Sequence, residues 1–272
     1  IGLSLTPTAA DMASNHWGVA IFTLAVAIFF SIFAKGFFKI VPILMAIIFG
    51  YIAALAVGLV DYQPILESMN KFIASPIDFK NHFVPSLDMA AIIMFAPLAF
   101  VTIIEDLGHM IVLGNITHTD PLTKPGFHRV LLGNGIATGI GSFLGGPPLT
   151  TYGENIGVLA VTRVYSSFNL WIAAIIAIIL SFINPLQALV MSIPTAVMGG
   201  VSILLFGMIG AAGLRNLVEA KVDFSKSKNL IIASVIFAIG IGVSDHGVAW
   251  ATLVGIVLNL LLPEEKEEAV EG

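Results

Sequence analysis

The chain lacks cysteine and has few charged side chains. Its 272 residues include no cysteine, 11% Asp, Glu, Lys and Arg, and 57% hydrophobic residues. The absence of cysteine excludes a disulfide framework and thiol chemistry. Because a soluble domain carries roughly a quarter charged residues, this chain has too few to cover a water-exposed surface. It also has no basic stripe or nucleic-acid-binding motif, so no nucleic-acid partner is expected.

Long apolar runs dominate what is present. A helix that crosses a bilayer needs about 20 mostly apolar residues, and nine runs approach that length after a short apolar stub that is expected to end at Pro7. They cover residues 17–34, 40–60, 89–116, 128–144, 151–165, 168–183, 189–214, 229–243 and 248–262. The pattern predicts an all-α membrane protein with several spans. The polar residues 61–86, punctuated by proline, are predicted to form a loop.

The lysines and arginines fall mainly on one side of these spans. Cytoplasmic loops of membrane proteins carry an excess of both residue types. If residues 34–40 form a cytoplasmic loop and the spans alternate, all of the 12 Lys and Arg except Lys71 and Lys80 lie inside. The C-terminus, with an acidic tail at residues 263–272, is then cytoplasmic. The chain begins with Ile1 and no charged segment precedes its first apolar run, so we expect a piece of a longer chain without a signal peptide.

One apolar run is broken near its start. The sequence Gly145-Gly146-Pro147-Pro148 interrupts the helical pattern, residues 149–152 favour a short extended segment, and helical periodicity resumes after Gly153. Non-helical backbone at membrane depth is tolerated only where it is buried in protein or lines a cavity. Because many transporters bind their substrates at such broken helices, this break is a candidate binding site.

Acidic side chains mark the same region. Glu154 begins the resumed helix, and Glu105 lies in another apolar run with His109 one turn later on the same helix face. Ionisable groups at membrane depth are costly and usually functional. The alternatives are a structural polar pair for Glu105 and His109, and a helix-capping role for Glu154. For Asp106, which points about 100° away from Glu105, helix packing is as well supported as function.

Glycines cluster between residues 133 and 145. No strand–glycine–helix unit surrounds them, so a phosphate-binding loop is not indicated. Their spacing instead predicts close helix contacts through the pairs Gly135/Gly139 and Gly141/Gly145. No cluster of metal-ligand residues is present, and no metal or organic cofactor is expected.

Four short motifs resemble one transporter family. The sequence is similar over residues 1–262 to the nucleobase–cation symporters, which include bacterial uracil permeases and xanthine/urate transporters. The motifs are Glu154-Asn155-x-Gly157-x-x-x-x-Thr162-Arg163, the preceding Thr151-Tyr152-Gly153, Glu105-x-x-Gly108-His109, and Pro194-x-x-Val197-Met198-Gly199-Gly200-Val201.

The resemblance implies a fold of fourteen spans in two inverted repeats of seven. Residues 1–87 would be the end of the first repeat, with gate helices and an extracellular polar loop. Residues 88–262 would be the complete second repeat, with core spans at about 89–183 and gate spans at about 189–262. The N-terminal part of the same transporter, membrane lipid and a second copy of the protein in a homodimer are the implied partners.

The resemblance also implies roles for individual residues. The family binds its nucleobase through the residues that match Glu105 and Glu154 and through the backbone of Gly153, and Tyr152 and Phe206 complete the binding set. Phe206 stands where close uracil-permease relatives are expected to have Tyr. His109 and Glu105 are implied in proton coupling. The expected supporting residues are Thr151, Asn155, Thr162, Arg163 and Ser202.

The resulting expectation is proton-coupled uptake of uracil across the bacterial inner membrane by alternating access, with the proton as coupling ion and no enzymatic activity. Glutamate at residue 154 favours uracil, since purine-transporting relatives tend to carry Gln there. The alternatives are a permease for xanthine or another purine, and an anion transporter of the same architecture. An anion site would favour neutral or cationic side chains, whereas this one presents two acids. A membrane scaffold without transport would leave those acids unexplained.

Overall fold

The computed structural model describes residues 2–75, 87–243 and 247–263, with all their side chains except those of residues 90, 93, 94, 97, 154 and 219. The predicted acidic tail lies outside this part of the chain except for Pro263. Throughout the described ranges the fold is helical, and extended pairing is limited to one bridge between Ile73 and Ile183. The predicted all-α class is confirmed.

The described ranges contain thirteen α-helices. A π-helical turn at Leu122–Gly126 leads into the seventh of them. In chain order they are α1 (Gly2–Ser14), α2 (Trp17–Phe33), α3 (Phe37–Ile40), α4 (Pro42–Ala56), α5 (Gln63–Met69), α6 (Met89–Thr117), α7 (Phe127–Phe143), α8 (Gly153–Thr162), α9 (Ser167–Ser181), α10 (Asn184–Met191), α11 (Thr195–Glu219), α12 (Ser227–Gly242) and α13 (Gly247–Leu261).

The first helix does not end at Pro7, as the sequence predicted, but continues through it to Ser14. Proline has no N–H to bond the carbonyl oxygen four residues earlier, which here belongs to Leu3. The hydroxyl of Thr6 donates to that oxygen at 2.7 Å. A side chain therefore replaces the missing backbone hydrogen bond, and the helix continues.

The predicted span at residues 189–214 is two helices. The chain leaves the helical conformation between α10 and α11, where Pro194 is extended with φ −62° and ψ 144°. The residue before a proline is disfavoured in helical backbone dihedrals, and proline itself has no N–H to donate to a helical hydrogen bond. Thus Pro194 ends one helix and starts the next, which an apolar run alone does not show.

Helix α11 packs closely against α1, α2 and α4. A Cβ atom at Gly199 would clash with the backbone of Ala13 in α1, and one at Gly200 would clash with the carbonyl oxygen of Ala20 in α2. Small residues let helix backbones approach this closely. The motif that includes Gly199 and Gly200 is therefore a helix-packing motif.

The helix contacts predicted for α7 are not found in the described ranges. A Cβ atom at Gly135 or Gly139 would meet no atom within 4 Å, and one at Gly141 would meet only the side chain of Leu149, at 3.9 Å. Small residues favour close contact only where a second helix faces them. Within the described ranges no second helix faces Gly135 or Gly139, so the predicted helix contacts of α7 stay a prediction.

Large apolar side chains cover the outer faces of several helices. Helix α9 has no buried residue, and Trp171 in its first half is 70% exposed. Two helical segments, Leu98–Thr117 and Thr195–Val218, are long and apolar enough to cross a membrane, and five further apolar helices are shorter. A helix that is apolar on every side needs a protein interior or a lipid environment. The exposed apolar surface of α9 is therefore suited to contact with lipid.

Candidate functional site

The helical backbone is interrupted between α7 and α8, as the sequence predicted. Helix α7 ends at Phe143, residues 146–152 are not helical, and α8 begins at Gly153. Gly145 has a φ of +87°, which a residue without a Cβ adopts readily. Tyr152, directly before α8, is extended with φ −106° and ψ 102°. The predicted short extended segment before a half-helix is confirmed.

A threonine of α7 holds the extended segment beside that helix. The hydroxyl of Thr138 accepts a hydrogen bond from the backbone N–H of Leu149 at 3.2 Å and donates to the carbonyl oxygen of the same residue at 3.3 Å. Backbone groups that lie outside helices need partners of this kind. One side chain thus satisfies both backbone groups of Leu149 and fixes where the segment starts.

The next two residues reach across to α6. The hydroxyl of Thr150 donates to Glu105 at 3.2 Å, and the hydroxyl of Thr151 donates to Asp106 at 2.7 Å. Thr151 Oγ1 also lies 2.6 Å from Nδ1 of His109. The extended segment therefore joins three ionisable side chains of α6 in one hydrogen-bonded cluster, which we call the helix-break cluster.

Asp106 is the most deeply placed member of the helix-break cluster. Asp106 is 1% exposed. The carboxylate oxygen that does not face Thr151 accepts a hydrogen bond from the side-chain amide of Asn134 in α7 at 3.0 Å. Both oxygens of a buried carboxylate are therefore hydrogen-bonded, as burial requires. Asp106 connects α6, α7 and the extended segment.

Asp106 takes part in more hydrogen bonds than its ambiguous sequence signal indicated, and the contacts of Asn134, Thr138 and Thr150 were not predicted. The argument that selected Glu105 applies equally to Asp106. Both are acidic residues within a long apolar run, where an ionisable group is costly. Asn134 lies between two glycines, and only the glycine spacing was interpreted. The two threonines have no signal of their own, because their roles depend on how the extended segment lies against its neighbours.

Gly153 lies against the imidazole of His109. A Cβ atom at residue 153 would stand 2.5 Å from Nε2 of that ring, a distance that would force something to move. A larger residue at 153 would therefore have to displace the imidazole of His109. The structure brings Glu105, His109, Thr151 and Gly153 together, and their roles stay predictions.

The remaining predicted residues of α8 lie at its two ends. Tyr152 and Asn155 are exposed near the first turn. The side chain of Glu154 is outside the described part of the structure, so its binding role stays a prediction. Thr162 is the last residue of α8, and its hydroxyl donates to the carbonyl oxygen of Val158. Arg163 ends the helix in the left-handed conformation, with a φ of +56°.

Two predicted residues lie on a different helix. Ser202 and Phe206 belong to α11, whose main packing partners in the described ranges are α1, α2 and α4. Ser202 is buried and Phe206 is half-buried. Neither residue is among the described hydrogen-bonding partners of the helix-break cluster. Their expected roles stay predictions.

The helix-break cluster is suited to binding a neutral, polar molecule. An ionised carboxylate has about four acceptor positions, and the described hydrogen bond from Thr150 uses one of those on Glu105. The first N–H groups of α8 add donors, because the first turn of a helix leaves them without partners in the helix. Among the described residues, no group of three or more His, Asp or Glu is arranged to hold a metal ion.

Comparison with known proteins identifies the family. A family model described as "Permease family" matches residues 1–248. The uracil permease of Bacillus subtilis is 45% identical over the whole chain and 68% of its own length. The uracil permease of Escherichia coli K12 is 44% identical over 96% of the chain and 64% of its own length.

A more distant relative has a broader name. The putative pyrimidine permease RutG of Escherichia coli K12 is 34% identical over 96% of the chain and 62% of its own length. The chain thus spans about two thirds of the length of the relatives it matches. The match to the family model and the identity across the whole chain agree with the apolar, all-helical fold: the chain belongs to the permease family of membrane transporters that includes the bacterial uracil permeases.

Proposed function

We propose that this chain is part of a transporter that takes up uracil together with a proton across the bacterial inner membrane, by alternating access. The relatives at 44–45% identity are named uracil permeases, and the 34% identical relative is named a pyrimidine permease. These names support a pyrimidine base over the purine alternative. In this proposal the C-terminus is cytoplasmic.

The observation that carries the proposal is the position of the helix-break cluster. Glu105, Asp106 and His109 meet the extended segment where one helix ends and a shorter one begins. Ionisable groups in a membrane helix are costly, and they mark ion and substrate pathways. Transporters place their substrates at such breaks, against the positive end of a half-helix.

Uracil matches the groups that the cluster offers. Its edge alternates N–H donors and C=O acceptors. In the proposed site the carboxylates of Glu105 and Glu154 accept from the N–H groups, and the backbone N–H of Gly153 donates to a carbonyl oxygen. Tyr152, directly before α8, and Phe206, in α11, complete the binding surface. The N–H donors and the C=O acceptors of uracil can thus both be hydrogen-bonded in the proposed site.

Proton coupling follows from the chemistry of the same side chains. A carboxylate only accepts hydrogen bonds, whereas a protonated carboxyl group also donates one. Protonation of Glu105 therefore changes what the site can bind. His109, one turn further along α6, carries an imidazole, which in its neutral form has one nitrogen that can accept a proton. Proton binding and uracil binding are linked through this pair.

The site is shared between two repeats in this proposal. Residues 88–262 form the second inverted repeat, and residues 1–87 form the end of the first. The relatives are longer by about half the length of this chain, and the additional part of the transporter completes the site. In inverted-repeat transporters the substrate lies at the interface between repeats. Lipid and a second copy of the transporter contact the outer faces.

Uptake of radiolabelled uracil by the complete transporter in lipid vesicles tests the proposal. An inward proton gradient should drive accumulation, and a proton uncoupler should abolish it. Unlabelled uracil should compete, whereas xanthine and adenine should not. Glu105→Gln should lower uptake, and Glu67→Gln, at an exposed residue of α5, should leave it unchanged. Competition by purines alone, or accumulation that resists the uncoupler, would contradict the substrate or the coupling.

A further inference from the structure

The hydroxyl of Thr151 lies between Asp106 and His109. Its oxygen is 2.7 Å from a carboxylate oxygen of Asp106 and 2.6 Å from Nδ1 of the imidazole. A hydroxyl group has one proton to donate and two lone pairs that accept. The two contacts of Thr151 therefore cannot both be donated by its own hydrogen.

The hydrogen bond from Thr151 to Asp106 decides how the single proton is used. Asp106 in its ionised form can only accept, so Thr151 donates its proton to Asp106. The other contact must then be donated by His109, which places a proton on Nδ1. In neutral imidazole the second nitrogen, Nε2, is left unprotonated, and it is the atom that faces the backbone of Gly153.

Asn134 fixes the orientation of the carboxylate. Its side-chain amide donates to the oxygen of Asp106 that does not face Thr151, at 3.0 Å. The Asp106 carboxylate is thus held by a donor on each oxygen. Because the residue is 1% exposed, bulk water does not compete for these positions.

We propose that Asp106 is a positioning residue for His109: through the Thr151 hydroxyl it fixes a proton on Nδ1 and leaves Nε2 as the nitrogen that gains and loses the coupling proton. The role in coupling rests on the proposed function, whereas the location of the ring proton does not. Hydrogen bonding at one ring nitrogen sets which of the two is protonated.

Protonation of His109 at Nε2 leaves its hydrogen bond to Thr151 in place. When a proton binds Nε2, a new N–H bond forms there and the Nδ1–H bond remains intact. The imidazolium keeps its hydrogen bond to Thr151, and the carboxylate of Asp106 lies beyond that hydroxyl as its counter-charge. An Asp partner that orients a histidine and stabilises its charged form plays the same part in serine proteases.

The replacement Asp106→Asn tests this assignment in a defined direction. The amide of Asn134 donates to one side of residue 106, so the oxygen of the new carboxamide should stay on that side. Its NH2 group then faces Thr151 and donates to it. The only hydrogen of Thr151 is then released from residue 106 and available to Nδ1, so we expect the ring proton of His109 to move to Nε2.

The measurement is nitrogen NMR of the complete transporter with isotope-labelled histidine, in lipid vesicles at a pH where imidazole is mostly neutral. The resonances of His109 are those lost in His109→Gln. We expect a protonated Nδ1 in the wild type and a protonated Nε2 in Asp106→Asn. A wild-type ring protonated at Nε2, or a ring unaffected by Asp106→Asn, would overturn the proposal.

A matched pair at Thr151 provides a second test if Asp106→Asn does not fold. Thr151→Ser keeps the hydroxyl and should keep the Nδ1 proton and most of the proton-driven uptake. Thr151→Val has nearly the same shape without the hydroxyl, so the Nδ1 proton should no longer be fixed. Uptake should then fall roughly tenfold to a hundredfold, the effect of losing one hydrogen bond to a charged group.

The two readouts separate this proposal from the proposed function. Equal spectra in Thr151→Ser and Thr151→Val would overturn the role of the hydroxyl. If the spectra change as expected while the wild type transports no uracil, the proton assignment stands and the proposed substrate is wrong.

Discussion

The backbone of Gly153 lies so close to His109 that a Cβ atom at residue 153 would stand 2.5 Å from Nε2 of the imidazole. This approach brings the first turn of α8 against the ring that α6 supplies. The N-terminal end of a half-helix and an imidazole nitrogen therefore face each other. A change at either residue should be felt at the other.

Gly153→Ala should weaken proton-driven uracil uptake and lower thermal stability. The added methyl group would meet His109, and overpacking of this kind costs about 1–3 kcal/mol. Uptake by the complete transporter and its melting temperature in detergent measure the two effects. Gly157→Ala is the matched control, because it lies one turn along the same helix and a Cβ there meets no described atom within 4 Å. Equal behaviour of the two variants would show that His109 and Gly153 can separate without loss.

Glu154→Gln should weaken uracil binding while preserving the fold. Residue 154 follows Gly153 in the first turn of α8, and the change replaces a carboxylate with an amide of nearly the same shape. Loss of a hydrogen bond to a charged group costs about 1.5–3 kcal/mol, which is roughly tenfold to a hundredfold in affinity. Equilibrium binding of radiolabelled uracil measures it. Unchanged affinity would remove Glu154 from the site, whereas new binding of xanthine would connect this residue to the choice of base.

His109→Leu should impair uphill uptake more than equilibrium binding. His109 is proposed to handle the coupling proton, and leucine can neither bind a proton nor hydrogen-bond to Thr151. Exchange of labelled for unlabelled uracil across the membrane does not need a proton gradient, so it should survive better than accumulation. Comparison of binding, exchange and accumulation in one preparation measures the difference. A common fold-reduction in all three would make His109 an ordinary binding or folding residue.

Features encoded within one short stretch of sequence were predicted correctly. The break before Gly153 follows from two glycines and two prolines in succession, whose backbone limits act locally. The cluster of Glu105 and His109 follows from helical spacing and from the cost of ionisable groups in an apolar run. The helical class follows from the lengths of those runs, because a backbone in lipid must satisfy its own hydrogen bonds.

Features that depend on a distant partner were not predictable in the same way. The continuation of α1 through Pro7 depends on a threonine hydroxyl that takes over one carbonyl oxygen. Whether a glycine is a packing residue depends on what faces it, so Gly200 makes a close contact and Gly135 does not. The hydrogen bond between Thr151 and Asp106 likewise depends on where the extended segment lies.

Gly200→Ala should destabilise the transporter through the contact between α11 and α2. The added methyl group would clash with the carbonyl oxygen of Ala20, which is backbone and cannot rotate away. The helices would have to separate, at a cost of about 1–3 kcal/mol or more. The melting temperature and the monodispersity of the purified protein measure it. Gly207→Ala, in the same helix and with no described atom within 4 Å of its Cβ, should be neutral or stabilising. Equal stability of both variants would mean that the helices do not pack as described.

A protein made of residues 1–272 alone should not bind uracil with the affinity of the complete transporter. The site is proposed to lie between two repeats, and the relatives named uracil permeases extend well beyond the part that this chain matches. Helix α7 has no buried residue within the described ranges, and its glycines at 133, 135 and 139 face open space. These open faces are where the additional spans should pack.

A thermal-shift titration with uracil measures binding, with the complete transporter as the reference. Co-expression of the additional N-terminal part should restore affinity. Tight, saturable binding by residues 1–272 alone would show instead that the helix-break cluster and its neighbours form a complete site without the first repeat.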